Sequence, residues 1–487
     1  MTETTRSQAT PAPTPTGRTR VRTWAGQADA WRWNRRLSSS YVNNILRVRS
    51  AAIMPASMQA RINALGIPSD IVQETLREIR NLSQWSDAWI ETAQRFLGDY
   101  RRQISGSQRT DAAQARMLAG YCYHIAQLAP GLDDRTIEHC RATASTLVSQ
   151  ALPEVLPHAR KVDIGWRSKV LPSILIPGPD RDEPAGLVVV LNGTSTTKEE
   201  LLRWTEAFSR IGLAVLLMDT PGTGEARHLG PPSADHIDLM DGVFELLRTY
   251  HAIDANKVGV LGVSLGGNIA LRCLAYDRRL VGAAMVTPPY EPSRWLNRTS
   301  PLLQGELMRL FQSDNPTELE EVAASFSLDD VIPHVQRPTL VIGGGRDMVV
   351  PPADSTHLAA ALGPLSTLLW YPDGGHALYA QVPAWTTDAS YWLRAVQQRQ
   401  STRVDDIDTV AGEWRAALEL SPEPQPEWDD SLESARLLSP DEVAERQQER
   451  SRDPREYSDE YSRAFDSTLD RSRTVRGRGA VNESRPE

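Results

Sequence analysis

Cysteine is scarce: Cys122, Cys140 and Cys273 are the only ones in 487 residues. An odd trio without CxxC spacing excludes a disulfide framework and a thiolate zinc site. It reads as reduced, buried thiols of a cytoplasmic protein. Long apolar runs are missing too. None reaches the ~18 residues of a membrane span, and the first stretch, "MTETTRSQATPAPTPTGRTR", lacks the apolar core of a secretory leader. Positive charge is not in excess. The net charge is −9 with 24% charged residues, which argues against a general nucleic-acid binder with its basic face. The sequons at Asn81, Asn297 and Asn482 then read as chance matches.

Phosphate-binding and metal-binding patterns are absent as well. "DTPGTGEAR", Asp219 to Arg227, contains a DxxG, but no GxxxxGK[ST] occurs to cradle phosphates. "GGGRD" is no dinucleotide fingerprint without GxGxxG. No His, Cys, Asp and Glu cluster has metal spacing. We expect no cofactor, no metal, no nucleic-acid partner and no membrane partner. A small-molecule substrate is expected, and the chain could pair as a homodimer.

What is present divides by composition. Residues 1–28 are rich in Thr, Pro, Ala and Arg and cannot bury enough apolar surface to offset ordering entropy, so disorder is expected there. Residues 29–160 carry helical periodicity. "SDIVQETLREIRNLSQWSDAWIETAQRFLGDYRRQI" repeats apolar residues at three and four spacing, with Trp85 and Trp89 on one face and Ser69 or Asp70 as candidate cap. Trp85, Trp89, Tyr121 and Tyr123 read first as helix core, with pocket lining as the alternative. Residues 161–400 alternate short β-rich runs with helical ones. The runs are Leu187–Leu191, Leu213–Met218, Val258–Val263, Ala283–Val286, Thr339–Ile342 and Thr367–Trp370. Between them lie "EELLRWTEAFSRIG" and "ADHIDLMDGVFELLRTYHAI" at a 3.6-residue period, with Gly212 where a helix-ending glycine belongs. Near-continuous apolar strands alternating with helices predict an α/β fold with a mostly parallel, doubly covered sheet behind an all-α layer. "VDIGWRSKVLPSILIPG" reads as an antiparallel hairpin at its edge. Residues 401–487 turn polar and charged, as in "SPEPQPEWDDS", and are expected to be largely disordered.

The chemistry concentrates in "KVGVLGVSLGGNIALRCLA". An apolar strand ends in Gly262-Val263-Ser264-Leu265-Gly266 and runs straight into a helix. That is the nucleophile elbow, a sharp strained turn that lifts a serine hydroxyl off the sheet edge. Side chains two before and two after the serine would collide, hence the glycines; Gly267 lets the helix pack close. A chance GxSxG occurs in roughly one of ten chains this long, so its placement between strand and helix carries the weight.

A serine hydroxyl needs a base. In this architecture the partners follow in the order Ser, acid, His. "TLVIGGGRDMVVPP" supplies Asp347 and "TLLWYPDGGHALY" supplies His376, each just past an apolar strand. His376 would take the Ser264 proton and Asp347 would hold the imidazole. Asp354 and Asp373 are weaker rivals for the acid. Glu291, in "TPPYEPSRW", is another, and with Tyr290 could contact substrate. In "LVVVLNGTSTTKEE", Gly193 and Thr194 are the candidate oxyanion donors, joined by the Leu265 N–H. The residues alone leave open hydrolysis, acyl transfer or cyclisation by the same triad, and a non-catalytic binding protein on the same fold.

The set "LNGTSTTKEE", "DTPGTGEAR", "GVSLGGNIALRC" and "YPDGGHALY", behind a helical N-terminal domain, resembles one branch of the α/β-hydrolases. The branch includes 2,6-dihydroxypseudooxynicotine hydrolase, the fermentation-respiration switch esterase and fungal polyketide-shortening hydrolases. The resemblance covers residues 30–400. It implies a site between the helical and hydrolase domains, with Ser264, Asp347 and His376 as triad and Gly193, Thr194 and Leu265 as oxyanion donors. It also implies cleavage of an ester or of a carbon–carbon bond next to a ketone. The substrate we expect is a ketone, ester or thioester of a small aromatic or polyketide-like molecule, and the Arg- and Ala-rich usage with long polar ends suggests, by analogy, a place in specialised metabolism. The chain departs from the pattern in two ways. Asn192-Gly193 replaces the usual paired glycines, and the acidic residue common in that loop is missing. The charged C-terminal segment has no counterpart.

Overall fold

The computed structural model describes residues 38–54, 56–105, 108–178, 183–398 and 436–437. The expected N-terminal tail, nearly all of the C-terminal segment and Asn482 lie outside the described residues.

The N-terminal region is helical: α1 Ser39–Arg49, α2 Ala56–Ala64, α3 Ser69–Glu78, α4 Trp85–Ser105, α5 Arg109–Ala126 and α6 Asp134–Val155. The long periodic stretch from Ser69 breaks at residues 79–84. There Asn81 caps a 3-10 turn by accepting from the Ser83 N–H, and the Leu82 N–H goes to Asn43 Oδ1 at 2.8 Å. The expected cap at Ser69 or Asp70 is not what forms. Pro68 holds the N-cap position, without a side-chain cap, and its carbonyl accepts from Val72. A proline's fixed φ suits the step into a helix, so no Ser or Asp side chain is needed there.

The sheet follows: β1 Arg160–Trp166, β2 Lys169–Ile176, β3 Ala185–Leu191, then α7 Lys198–Leu201, α8 Glu206–Arg210, β4 Ala214–Met218, α9 Leu239–Leu247, β5 Ile253–Val263, α10 Leu265–Tyr276 and β6 Leu280–Val286. Next come α11 Ser293–Leu296, α12 Pro301–Phe311, α13 Pro316–Ser325, β7 Thr339–Gly344, α14 Pro352–Leu362, β8 Ser366–Tyr371, α15 Val382–Gln398 and β9 Arg436–Leu437. Strand order is β1-β2-β4-β3-β5-β6-β7-β8-β9. β3 to β8 run parallel, β1 and β2 form the expected antiparallel hairpin, and β9 pairs antiparallel with β8. This is the α/β-hydrolase architecture.

The apolar runs are continuous because both faces of the sheet are covered. In β3, Val188 and Val190 join a core shared with α15 and the N-terminal helices, while Leu187, Val189 and Leu191 face a second core with α9 and α10. Each such side chain contributes roughly 1.5–3 kcal/mol on burial. The stretch read as one helix in "EELLRWTEAFSRIG" is instead α7, a 3-10 turn at Leu202–Trp204, and α8. Thr205 Oγ1 donates back to the Leu202 carbonyl at 2.9 Å and competes with the helical pattern. Gly212 does stand just past the end of α8, at φ +91°.

The candidate aromatics are all buried. Trp85 Nε1 donates to the Ile125 carbonyl at 2.8 Å, and the Tyr123 hydroxyl accepts from Gln94. Trp89 and Tyr121 lie in the same helical core. All three cysteines are free and buried. No helix among the described residues is long and apolar enough to cross a membrane.

Candidate active site

The elbow forms as its glycines require. Ser264 sits at φ 54°, ψ −123°, a conformation that costs a non-glycine residue energy, and its N–H donates to the Val286 carbonyl at 2.8 Å. A Cβ on Gly262 would lie 2.0 Å from the Gly266 carbonyl oxygen. One on Gly266 would lie 2.4 and 2.5 Å from the oxygens of Asn192 and Leu191. The turn exists only because both positions lack a side chain. Ser264 retains 9% of its exposure, at the head of α10.

Asp347 and His376 meet across two loops. His376 Nδ1 lies 2.8 Å from Asp347 Oδ2. The other oxygen, Oδ1, accepts the Val349 and Val350 N–H groups at 2.8 and 2.9 Å. Asp347 is 1% exposed. Its loop is zipped to the loop after β8: the Gly345 N–H donates to the Tyr371 carbonyl and the Arg346 N–H to that of Gly374. His376 opens a turn in which Ala377 and Leu378 both have positive φ, steadied by the Ala377 N–H on Thr287 Oγ1. Among the described residues Ser264 and His376 share no direct hydrogen bond; such contacts commonly tighten only when substrate binds.

The rival acids have other partners. Asp354 accepts from the Tyr290 N–H at 2.8 Å and Trp295 Nε1 at 3.0 Å. Asp373 pairs with Arg346, and Glu291 with Arg294. Tyr290, expected to contact substrate, is buried against His357 with its hydroxyl donated to Asp329. Burial in the second core accounts for Tyr290, and the pairing with Arg294 for Glu291.

The loop after β3 lies against the elbow, and a Cβ on Gly193 would come 3.2 Å from Ser264 Cβ. The Gly193 N–H is spent on Thr196 Oγ1 at 2.6 Å, which removes it as an oxyanion donor in this arrangement. The N–H groups of Thr194 and Leu265 have no acceptor among the described residues. Asn192 holds the loop's base: Nδ2 donates to the Thr196 carbonyl at 2.7 Å, and Oδ1 accepts the Thr220 N–H at 2.9 Å. An asparagine in place of a glycine thus ties the β3 loop to the β4 loop.

The sequence reading missed a set of buried charges beside that loop. Lys198, Glu199 and Glu200 are 0%, 3% and 1% exposed. Lys198 Nζ stands 2.7 Å from Glu199 Oε1 and 3.1 Å from Asp219 Oδ2, with Glu225 as third partner. Burial opposes the Lys198 charge, but these carboxylates override it and push its pKa up. For Glu199 burial works against the charge and Lys198 wins, holding the carboxyl down at about 2. Asp219 is the hub of "DTPGTGEAR", also accepting the Lys198 and Glu225 N–H groups. Glu200 turns the other way, to Arg61 and His124 from the helical layer. Burial opposes its charge too, yet those partners hold it at about 2. A Lys-Glu-Glu run at a helix start reads as solvated surface, and no spacing betrays its burial. Among the described residues no group of His, Cys, Asp and Glu could hold a metal ion.

Fold and relatives define the class: this is an α/β-hydrolase, a hydrolytic enzyme. Residues 207–399 match the prolyl oligopeptidase family. The chain is related to 2,6-dihydropseudooxynicotine hydrolase of Paenarthrobacter nicotinovorans, 26% identical over 54% of this chain and 71% of that one. It is also similar to esterase FrsA of Vibrio parahaemolyticus serotype O3:K6 (strain RIMD 2210633), 22% identical over 41% of this chain and 47% of that one. The chain thus spans about half the length of that esterase. The solved structure of 2,6-dihydroxy-pseudo-oxynicotine hydrolase superposes with a TM-score of 0.63 at 24% identity, covering 69% of this chain and 95% of that one.

Proposed function

We propose that the protein is a serine hydrolase in which Ser264 attacks, His376 moves the proton and Asp347 orients the imidazole. The observation that carries this is the contact of His376 Nδ1 with Asp347 Oδ2 at 2.8 Å, in loops beside a strained Ser264. Proton transfer from Ser264 Oγ to His376 Nε2 accompanies attack on a carbonyl carbon. The Thr194 and Leu265 N–H groups receive the developing oxyanion. His376 returns the proton to the leaving group, and water repeats the sequence to free the acid.

The substrate class we infer is a ketone, ester or thioester of a small aromatic or polyketide-like molecule. The names of the relatives support it: a pseudooxynicotine hydrolase and an esterase. The low exposure of Ser264, 9%, suits chemistry that must exclude stray water. The division at residue 160, with helices before and the catalytic sheet after, belongs to this reading, as does a place in specialised metabolism.

Intact-mass labelling with a small fluorophosphonate tests it. The expected result is one adduct that maps to Ser264 and vanishes in Ser264→Ala. An adduct that persists in the variant, or none in the wild type, overturns the assignment.

A further inference from the structure

Arg61 comes from α2 in the helical layer, yet it reaches the catalytic loops. Nε and Nη2 fork onto the two Glu200 oxygens at 2.9 and 2.7 Å. Nη1 donates to Ser195 Oγ at 3.1 Å and Nη2 to the Ser195 carbonyl at 2.9 Å. Ser195 is the residue after Thr194, and the loop is closed on its other side by the Gly193 N–H on Thr196 Oγ1. The same guanidinium stands 5.3 Å from the ring centroid of Tyr379, three residues past His376. Ser57, one turn earlier on α2, lies against Gly375. One short helix therefore braces both the oxyanion loop and the histidine turn.

We propose that Arg61 is a positioning residue of the catalytic frame, setting the direction of the Thr194 N–H and the seat of the His376 turn. This rests on the assignment of Ser264, His376 and Thr194 above. A latch that only fastened the helical layer would need the Glu200 pair alone. Half of Arg61's hydrogen bonds go instead to Ser195, within the loop that carries the donor. The planar fork is what lets one side chain serve a carboxylate and a main-chain carbonyl together, so lysine is no equivalent.

The support behind Glu200 has a fixed polarity. Arg141 Nε can only donate, so Gln127 turns its Oε1 to it. Gln127 Nε2 then donates to His124 Nδ1 at 2.9 Å, which places the imidazole proton on Nε2, 2.8 Å from Glu200 Oε2. Helices α2, α5 and α6 thus converge on one carboxylate.

The experiment uses the full chain, a small fluorophosphonate, and the rate at which Ser264 is phosphonylated, normalised to folded protein by circular dichroism. Arg61→Lys keeps a charge opposite Glu200 but loses the fork. Its rate is expected to fall ~10- to 100-fold, the scale of a misplaced catalytic group. Arg61→Ala should fall at least as far, and millimolar methylguanidinium should restore part of the rate. Rates within twofold of wild type in both variants overturn the proposal. So does a loss that disappears on normalisation to folded protein. If Arg61→Ala does not fold, Arg61→Lys decides alone. A wild type that takes no label at Ser264 overturns the nucleophile assignment, and this inference with it. A labelled wild type with equally labelled variants overturns this inference only.

Discussion

Asp347 grips His376 with one carboxylate oxygen and its own loop with the other. Oδ2 lies 2.8 Å from His376 Nδ1 while Oδ1 accepts the N–H groups of Val349 and Val350. The two jobs fix the carboxylate plane, so the ring it meets is aimed by main chain and not by a mobile rotamer.

Replacing Asp347 by Asn keeps the shape and loses the charge that orients the imidazole and stabilises its protonated form. Turnover should fall ~1,000- to 10,000-fold. Glu291→Gln, which touches the Arg294 ion pair, should stay within about threefold of wild type on the same model-ester assay, the size of a surface-pair effect. A fully active Asp347→Asn would return the acid's role to a rival.

Gly266→Ala should destabilise the fold and not merely slow it. Its methyl would meet the main-chain oxygens of Asn192 and Leu191 at 2.4 and 2.5 Å, where no flexible side chain can yield. We expect a loss of about 3 kcal/mol, at the upper end for overpacking. A urea-unfolding midpoint unchanged from wild type would mean that the strand end can shift, contrary to the packing described.

Asp388 gives the fold a pH signature. Burial raises its pKa from 3.8 to about 6, only partly opposed by the Tyr371 hydroxyl that donates to it. The folded state therefore holds this proton where the unfolded chain has released it. The group's contribution is full below about pH 4, drains away as pH rises toward 6, and stays lost above. At about 1.4 kcal/mol per pKa unit, Asp388→Asn should gain up to about 3 kcal/mol over wild type at pH 7, and little at pH 4. Parallel stability curves for the two proteins from pH 4 to 7 would refute this.

Most of the sheet was legible because a parallel strand covered on both faces must be apolar throughout, as Leu187 to Leu191 are. The site was legible for a related reason. An elbow needs small residues at fixed offsets, and the chain order of serine, acid and histidine follows from which strands end at one edge. What escaped notice depends on contacts distant in sequence. Arg61 and Glu200 are 139 residues apart, and nothing local to either marks it as buried. The oxyanion loop was half legible. Gly193 was expected to donate its N–H to the oxyanion; its backbone does lie beside Ser264, but that N–H is claimed by Thr196, a partner three residues on whose hydroxyl could as easily have turned to solvent. Short-range competition also broke the helix read across Lys198–Arg210, where Thr205 offers its own hydroxyl to the backbone.

The pairing of Arg61 with Glu200 bears on how such an enzyme can diverge. Each charge is buried, and losing one partner leaves the other stranded in the interior at a cost of about 3–5 kcal/mol. Neither position is free to drift alone. A lineage adapting its helical layer to a new substrate must carry this arginine along or replace both members in step. A chimera that grafts a foreign helical layer onto this catalytic half should work only where the donor layer brings a guanidinium to the same place.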